Sequence, residues 1–490
     1  MLLSIEKLVY GGDGLARAPA SADGRSMAVF VPFVLPGERV EAEIRPGRAG
    51  FARADVTGLV EASSDRIEPR CRYFRQCGGC HYQHIPYERQ LEFKAQILRE
   101  TFERVGKIRL KDEIRLHPSP PWNYRNRTRL QVRTSQESQF RDSEKSHEPR
   151  AASHEQGGDI PGAGSALQPT QSRPSGDSDF PPQHAKTARA GDPGFALGYY
   201  RFGSREFLPV QECPISSPLI NRVIARLTEL GGLGCPAAIE ELELFADASD
   251  EQALGWAFCR EDTPKKDLLR WAEALRAELP NLIGLSFFLA RQHADEEGPA
   301  AGRVLAQSGA KSIRYRTASG EYQVSAGAFF QVNRHLVDEL ISVVIGDAEG
   351  DVAFDLYAGG GLFSVPLAEK FRHIFAVESS QTSFSDLKQN VPASVKVVGT
   401  QTEEYLRSAP VRKRPDLVVL DPPRAGVGKT VTRSLAELGA RHIRYVSCDP
   451  ATLARDLSQL VAAGYRIERA HLFDLFPQTF HIESVMLLER

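Results

Sequence analysis

The sequence predicts a multidomain protein: a small N-terminal β-barrel, an α+β middle domain with a cysteine cluster, and a C-terminal doubly wound α/β domain. Three observations predict it. Short alternating apolar runs broken by turns fill the chain up to residue 60, three cysteines crowd into 71–80, and strands alternate with helices from Phe329 onward. A length of 490 residues also exceeds one core, at roughly 100–200 residues per domain. The expected boundaries are 1–60, 61–328 and 329–490.

In the first segment the runs 28–34, 40–44 and 54–56 are separated by Gly11-Gly12-Asp13-Gly14 and Pro36-Gly37, which suits a small barrel. Leu91, Ala95, Leu98 and Phe102 recur at a helical period, predicting a helix over 87–104. Residues 134–193 hold two Phe, one Ile and one Leu among many Ser, Pro, Gly and charged residues. That is too little apolar surface to offset ordering entropy, so a disordered insertion is expected between strands 127–133 and 195–201. Strands at 241–245, 253–259 and 283–289 with a helix at 265–278 complete the middle domain. The runs 352–356, 374–378, 395–398, 417–421 and 443–447 read as buried parallel strands, with a final pair at 467–472 and 484–489.

The formal charge of −2 does not mark a nucleic-acid binder. Removing 134–193, with six Lys/Arg and nine Asp/Glu, shifts it only to +1, so charge stays uninformative. Seven cysteines are too few for a disulfide scaffold and odd in number, which favours a reducing compartment and metal or catalytic uses. No long apolar run and no leader pattern is present, so a soluble, cytoplasmic protein is expected.

In an open α/β sheet, ligands lie beyond the carboxyl ends of the strands. The first strand of the C-terminal domain ends in Asp355-Leu356-Tyr357-Ala358-Gly359-Gly360-Gly361, and the second ends about twenty residues later in Glu378, placed to hold ribose hydroxyls. A dinucleotide G-x-G-x-x-G and a Walker loop are both missing here, which ranks adenosylmethionine above NAD and ATP. Asp421-Pro422-Pro423-Arg424 makes a rigid loop at the fourth strand's end, and Cys448 follows the next strand on the same rim. Cys71, Cys77 and Cys80 form C-x5-C-G-G-C, suited to an iron–sulfur cluster or another metal. Cys213, followed by Pro214, is the candidate fourth ligand; zinc with His81 or His84 is the rival.

Taken together these motifs resemble the uracil-C5 RNA methyltransferases of the bacterial 23S ribosomal RNA type. The resemblance rests on Gly11 to Arg17, C-x5-C-G-G-C-x-x-Gln83-His84 with Cys213, Phe330-Gln331-Val332-Asn333, the Asp355 to Gly361 loop, Asp421 to Arg424, Ser447 to Asp456 and Phe476 to Glu483. It implies a TRAM barrel of OB-like form, a central iron–sulfur domain and a Rossmann-like class I methyltransferase domain. It implies a [4Fe–4S] cluster on Cys71, Cys77, Cys80 and Cys213, and S-adenosyl-L-methionine near Gln331, Tyr357, Glu378 and Asp421. It also implies Cys448 as nucleophile, Glu483 as proton acceptor, RNA as partner, no membrane and a monomer. The chain departs from the family at Leu362, where Asn is frequent, and at Ala358, where Cys is frequent.

The chemistry agrees with that implication. Uracil C5 is electron-poor, so a thiolate must add at C6 before C5 can accept a methyl group, and a carboxylate must then remove the C5 proton. Nearby donors or positive charge are expected to favour the Cys448 thiolate. Arg125, Arg127 and Arg129 share a face if extended, which suits phosphates. A tRNA target is the alternative within enzymes; a non-catalytic RNA-binding or iron–sulfur sensor protein is the alternative outside them.

Overall fold

The computed structural model describes all residues except 19–25, 46–49, 135–193, 291–301 and 409–413. The expected insertion at 134–193 therefore lies, apart from Thr134, outside the described residues. Strands β1 (Leu2–Leu8), β2 (Asp13–Arg17), β3 (Ala28–Pro32), β4 (Arg39–Arg45) and β5 (Phe51–Glu61) close a barrel in the order β1-β2-β3-β5-β4. Alternate residues such as Leu3, Ile5, Val29, Val31 and Val40 fill its interior. Gly14 has no room for a side chain: a Cβ there would lie 2.5 Å from Val34 and 2.8 Å from Ile5.

Helix α1 (Tyr87–Thr101) runs into a π-turn over Phe102–Gly106, which Lys107 stops in a left-handed conformation. The strand β6 (Arg115–His117) follows, then β7 (Arg127–Thr134), β8 (Phe195–Tyr200), β9 (Phe207–Pro209), α2 (Pro218–Glu229), β10 (Ile239–Ala246), β11 (Ala253–Cys259), α3 (Lys265–Glu278), β12 (Leu282–Leu289) and β13 (Val304–Gly309). Seven of these strands form one sheet in the order β13-β12-β11-β10-β7-β8-β9. Alternation splits its side chains: Leu242 and Leu244 pack under α2 and α3, whereas Phe245 and Trp256 face the C-terminal part of the chain.

A hairpin of β14 (Ser312–Thr317) and β15 (Gly320–Ser325) leads to α4 (Val337–Ile345). Then come β16 (Gly350–Leu356), α5 (Ser364–Leu367), β17 (Phe371–Val377), α6 (Gln381–Asn390), β18 (Val395–Val398), α7 (Thr402–Ser408), β19 (Leu417–Leu420), α8 (Gly428–Leu438), β20 (His442–Ser447), α9 (Pro450–Ala462), β21 (Arg466–Phe473) and β22 (Glu483–Glu489). The sheet order is β18-β17-β16-β19-β20-β22-β21-β6. Strands β16 to β20 run parallel, and the order reverses between β16 and β19, the switch point where ligands bind. Unforeseen from sequence, β6 joins the edge of this sheet and pairs in parallel with β21. Among the described residues no helix is long and apolar enough to cross a membrane.

Candidate active site

Register brings four side chains to one face of the sheet. Asp355 pairs with Val419, two residues before Asp421, and extending the β19–β20 register places Asp421 beside Val446, two residues before Cys448. Ser447 pairs with Ser484, which sets Cys448 opposite Glu483. Residues two apart on a strand, and direct cross-strand partners, point the same way, so Asp355, Asp421, Cys448 and Glu483 share a face. Asp449 caps α9 by accepting hydrogen bonds from Ala451 N–H (3.0 Å) and Thr452 N–H (2.8 Å), with Pro450 opening the helix, and this fixes the turn that holds Cys448.

The electrostatics are unusual. Burial, then Asp355, raises Asp421 to about 7, and burial raises Asp355 to about 7 although Ser364 donates a hydrogen bond to it. Glu483, 6% exposed, is pushed well above the carboxylate range by burial and then by Asp421. The expected stabilised thiolate is not found: burial, then Glu483 and Asp421, pushes the Cys448 thiol up to about 12, and Arg424 alone among the acting groups opposes them. In the free protein burial therefore favours the protonated forms of Glu483 and Cys448 and shifts Asp355 and Asp421 toward them.

Of the other candidate cofactor residues, Tyr357 and Glu378 lie just past the ends of β16 and β17, beside the switch point. Tyr357 follows β16 in a left-handed conformation (φ 65°), with Thr402 and Glu403 of α7 beside its hydroxyl. Glu378 accepts from Gly359 N–H (2.8 Å) and Ser380 N–H (2.5 Å), which ties the glycine loop to the end of β17. Gly361 is left-handed (φ 92°), and a Cβ there would stand 2.9 Å from Leu387. Gln331 is nearly buried in the loop after β15, its carbonyl accepting from Asn126 Nδ2 at 3.3 Å. Leu362 and Ala358 are buried in the apolar core against which the loop packs.

Several supporting residues gave no sequence signal. Tyr10, in the barrel's β1–β2 loop, donates to the Cys448 carbonyl (3.3 Å) and meets Phe480 edge to face. The loop before Glu483 is pinned from α1: Lys94 pairs with Asp474 at 2.7 Å, both side chains fully buried, and Gln90 and Gln478 exchange two hydrogen bonds of 3.0 Å. Backbone N–H groups of His81 and Tyr82 donate to the Gln478 carbonyl, linking the cysteine loop to the same segment. The arginine reading needs correction. Arg125 precedes β7, Arg127 pairs with Glu243 and Arg129 with Glu241, so two of the three cations are neutralised within the protein.

Cys71, Cys77, Cys80 and Cys213 line one cavity of about 700 Å³ together with Gly78, Gly79 and Gln83. Neither His81 nor His84 lines it; His81 packs among Phe33, Phe202 and Phe480, and His84 against Phe74. Burial, then Cys213, pushes the Cys80 thiol far up. Among the described residues no three His, Cys, Asp or Glu side chains converge as ligands for a metal ion.

Comparison with known proteins agrees with this architecture. Residues 1–57 match the TRAM domain model and residues 308–490 match that of tRNA (Uracil-5-)-methyltransferase. The chain is 30% identical to 23S rRNA (uracil(1939)-C(5))-methyltransferase RlmD of Halomonas elongata, over 99% of this chain and 89% of that one. It is 28% identical to an uncharacterized RNA methyltransferase of Caldanaerobacter subterraneus, over 100% and 97% of the two chains. The fold matches the crystal structure of Pyrococcus abyssi tRNA (uracil-54, C5)-methyltransferase in complex with S-adenosyl-L-homocysteine, with a TM-score of 0.67, 21% identity and full coverage of both chains. The C-terminal sheet thus has the fold of an adenosylmethionine-dependent methyltransferase, and the chain belongs to the RNA uracil-C5 methyltransferase family.

Proposed function

We propose that this protein methylates C5 of a uridine in RNA, most simply in 23S ribosomal RNA, with S-adenosylmethionine as donor. The observation that carries the reading is Cys448 set opposite Glu483 on the carboxyl rim, beside the switch point. When bound, the donor supplies a methyl group on a positively charged sulfur. Cys448 adds to C6, the electron pair moves to C5, and C5 takes the methyl group. Glu483 then accepts the C5 proton, the C5–C6 double bond re-forms, and the Cys448 sulfur leaves C6. Asp421 and Asp355 offer negative charge to the donor, Glu378 its free lone pairs to ribose, and Gln331 and Tyr357 flank the crevice.

The cysteine cavity supports a [4Fe–4S] cluster on Cys71, Cys77, Cys80 and Cys213. Four thiols lining one cavity with two glycines among them suit a multi-iron group, whose cysteine ligands surround a cluster rather than a single ion. The cavity wall lacks both histidines of the zinc alternative. A tRNA target stays the second reading, favoured by the family model that matches 308–490.

The test is methylation of ribosomal RNA and of tRNA, each lacking 5-methyluridine, by the wild type and Cys448→Ala. Methyl incorporation into the ribosomal RNA by the wild type alone is expected. Incorporation by the variant at the same rate overturns the covalent route, and incorporation into tRNA alone moves the target.

A further inference from the structure

Three carboxylates stand on one face of the sheet with little to neutralise them. Asp355 is fully buried near the end of β16, Asp421 follows β19, and Glu483 begins β22. Ser364 donates to one oxygen of Asp355, while its other oxygen has no hydrogen-bond partner. The groups around them are mostly acidic or neutral: Glu378 and Tyr322 near Asp355, Asp355 near Asp421, and Asp421 with Arg424 near Glu483. Cys448, with Asp449 and Tyr10 behind it, closes the ring. Among the described residues Arg424 is the cation that acts on Glu483. A buried acid in such surroundings keeps its proton until a cation arrives.

Resting on the methyltransferase reading, we infer that Asp355, Asp421 and Glu483 form one proton-holding cluster that a cationic methyl donor discharges. Donor binding releases protons to solvent, and binding of the neutral thioether left after transfer releases fewer. The consequence for catalysis is timing. While the sulfur is positive, the cluster is held as carboxylates and Glu483 is a free base. Once the methyl group has passed to C5 that charge is gone, and the cluster's affinity for a proton rises as the C5 proton must leave. The C5–H bond then breaks, the proton goes to the Glu483 carboxylate, and its electron pair forms the C5–C6 double bond and expels the Cys448 thiolate. The burial that disfavours the Cys448 thiolate in the free protein has the same remedy, because the donor's charge acts on the thiol as well.

The experiment is titration calorimetry of the whole protein at about pH 7 in two buffers with different ionisation heats, first with S-adenosylmethionine and then with S-adenosylhomocysteine. Both compounds carry the same amino, carboxylate and ribose groups, so their difference isolates the sulfur charge. The expected result is a release of about 0.5–1 proton more for the donor, with donor affinity rising about three- to tenfold per pH unit from about pH 6 to 7. Asp421→Asn is expected to reduce the excess; an unchanged excess in that variant overturns the assignment to this cluster. Equal release by the two compounds in the wild type overturns the inference and leaves the methyltransferase reading standing. Failure of both compounds to bind overturns that reading, and the inference with it.

Discussion

Cys448 and Glu483 face each other across the antiparallel pair β20–β22, each one step beyond the Ser447–Ser484 partners. The two side chains therefore meet where neighbouring strands join, Glu483 opening β22 and Cys448 standing in the turn just after β20 that the Asp449 cap fixes. Phe473 of β21 pairs with Glu483 from the other side and packs in the apolar core, which keeps water from that flank.

If Glu483 removes the C5 proton, Glu483→Gln should stall the reaction after methyl transfer. A covalent RNA–protein complex resistant to denaturing electrophoresis is expected, absent when Cys448→Ala is added. Free turnover by Glu483→Gln at wild-type rate would sink the assignment.

Asp355 is expected to cost the free protein stability at alkaline pH. Its folded value of about 7 lies above the ordinary aspartate value of 3.8, so its contribution is fully present below about pH 4 and is lost as pH rises through about 7. Asp355→Asn keeps the acceptor for Ser364 and removes the charge. It should therefore stabilise the unliganded protein by about 1–3 kcal/mol at pH 8 and by almost nothing at pH 4. Urea midpoints at the two pH values check the sign; a variant less stable than wild type at pH 8 contradicts it.

Lys94→Met should be far more harmful than its place away from the reacting groups suggests. It leaves Asp474 buried without its partner, and breaking a buried ion pair on one side costs about 3–5 kcal/mol. Chemical denaturation measures this, and a loss under about 1 kcal/mol would show the pair to be dispensable.

If Cys213 is the fourth ligand of an iron–sulfur cluster, the anaerobically purified wild type should be brown and hold about four irons, and Cys213→Ser should lose most of both while the barrel stays folded. Iron content and visible absorption are the readouts. Stoichiometric zinc in the wild type would replace the cluster assignment with a single-ion site.

Much of the architecture was legible because its periodicity is local. Strands such as Leu417–Leu420 and the helix Lys265–Glu278 follow from apolar runs and a helical stripe, needing no distant partner. Strand β6 was illegible: three residues, Arg115–His117, carry no pattern and become a strand only because β21 offers an open edge. The arginine stripe misled for a related reason. Spacing placed Arg127 and Arg129 on one face, but Glu243 and Glu241 reach that face only through the pairing of β7 with β10.

The sequence by itself determined which chemical groups are present, and on which strand ends: the thiol at 448, the carboxylates at 355, 378, 421 and 483, and the four cysteines with their glycines. It did so because motif spacing is a property of the chain. Only the tertiary structure decided the surroundings of Asp355, Asp421, Cys448 and Glu483. Burial and mutual repulsion depend on groups brought together from distant parts of the chain, and they push these carboxyls and the thiol upward, against the thiolate and carboxylates that the motifs alone suggest. The same long-range packing set Tyr10 of the barrel against Cys448, a contact between residues 438 positions apart that no local pattern encodes.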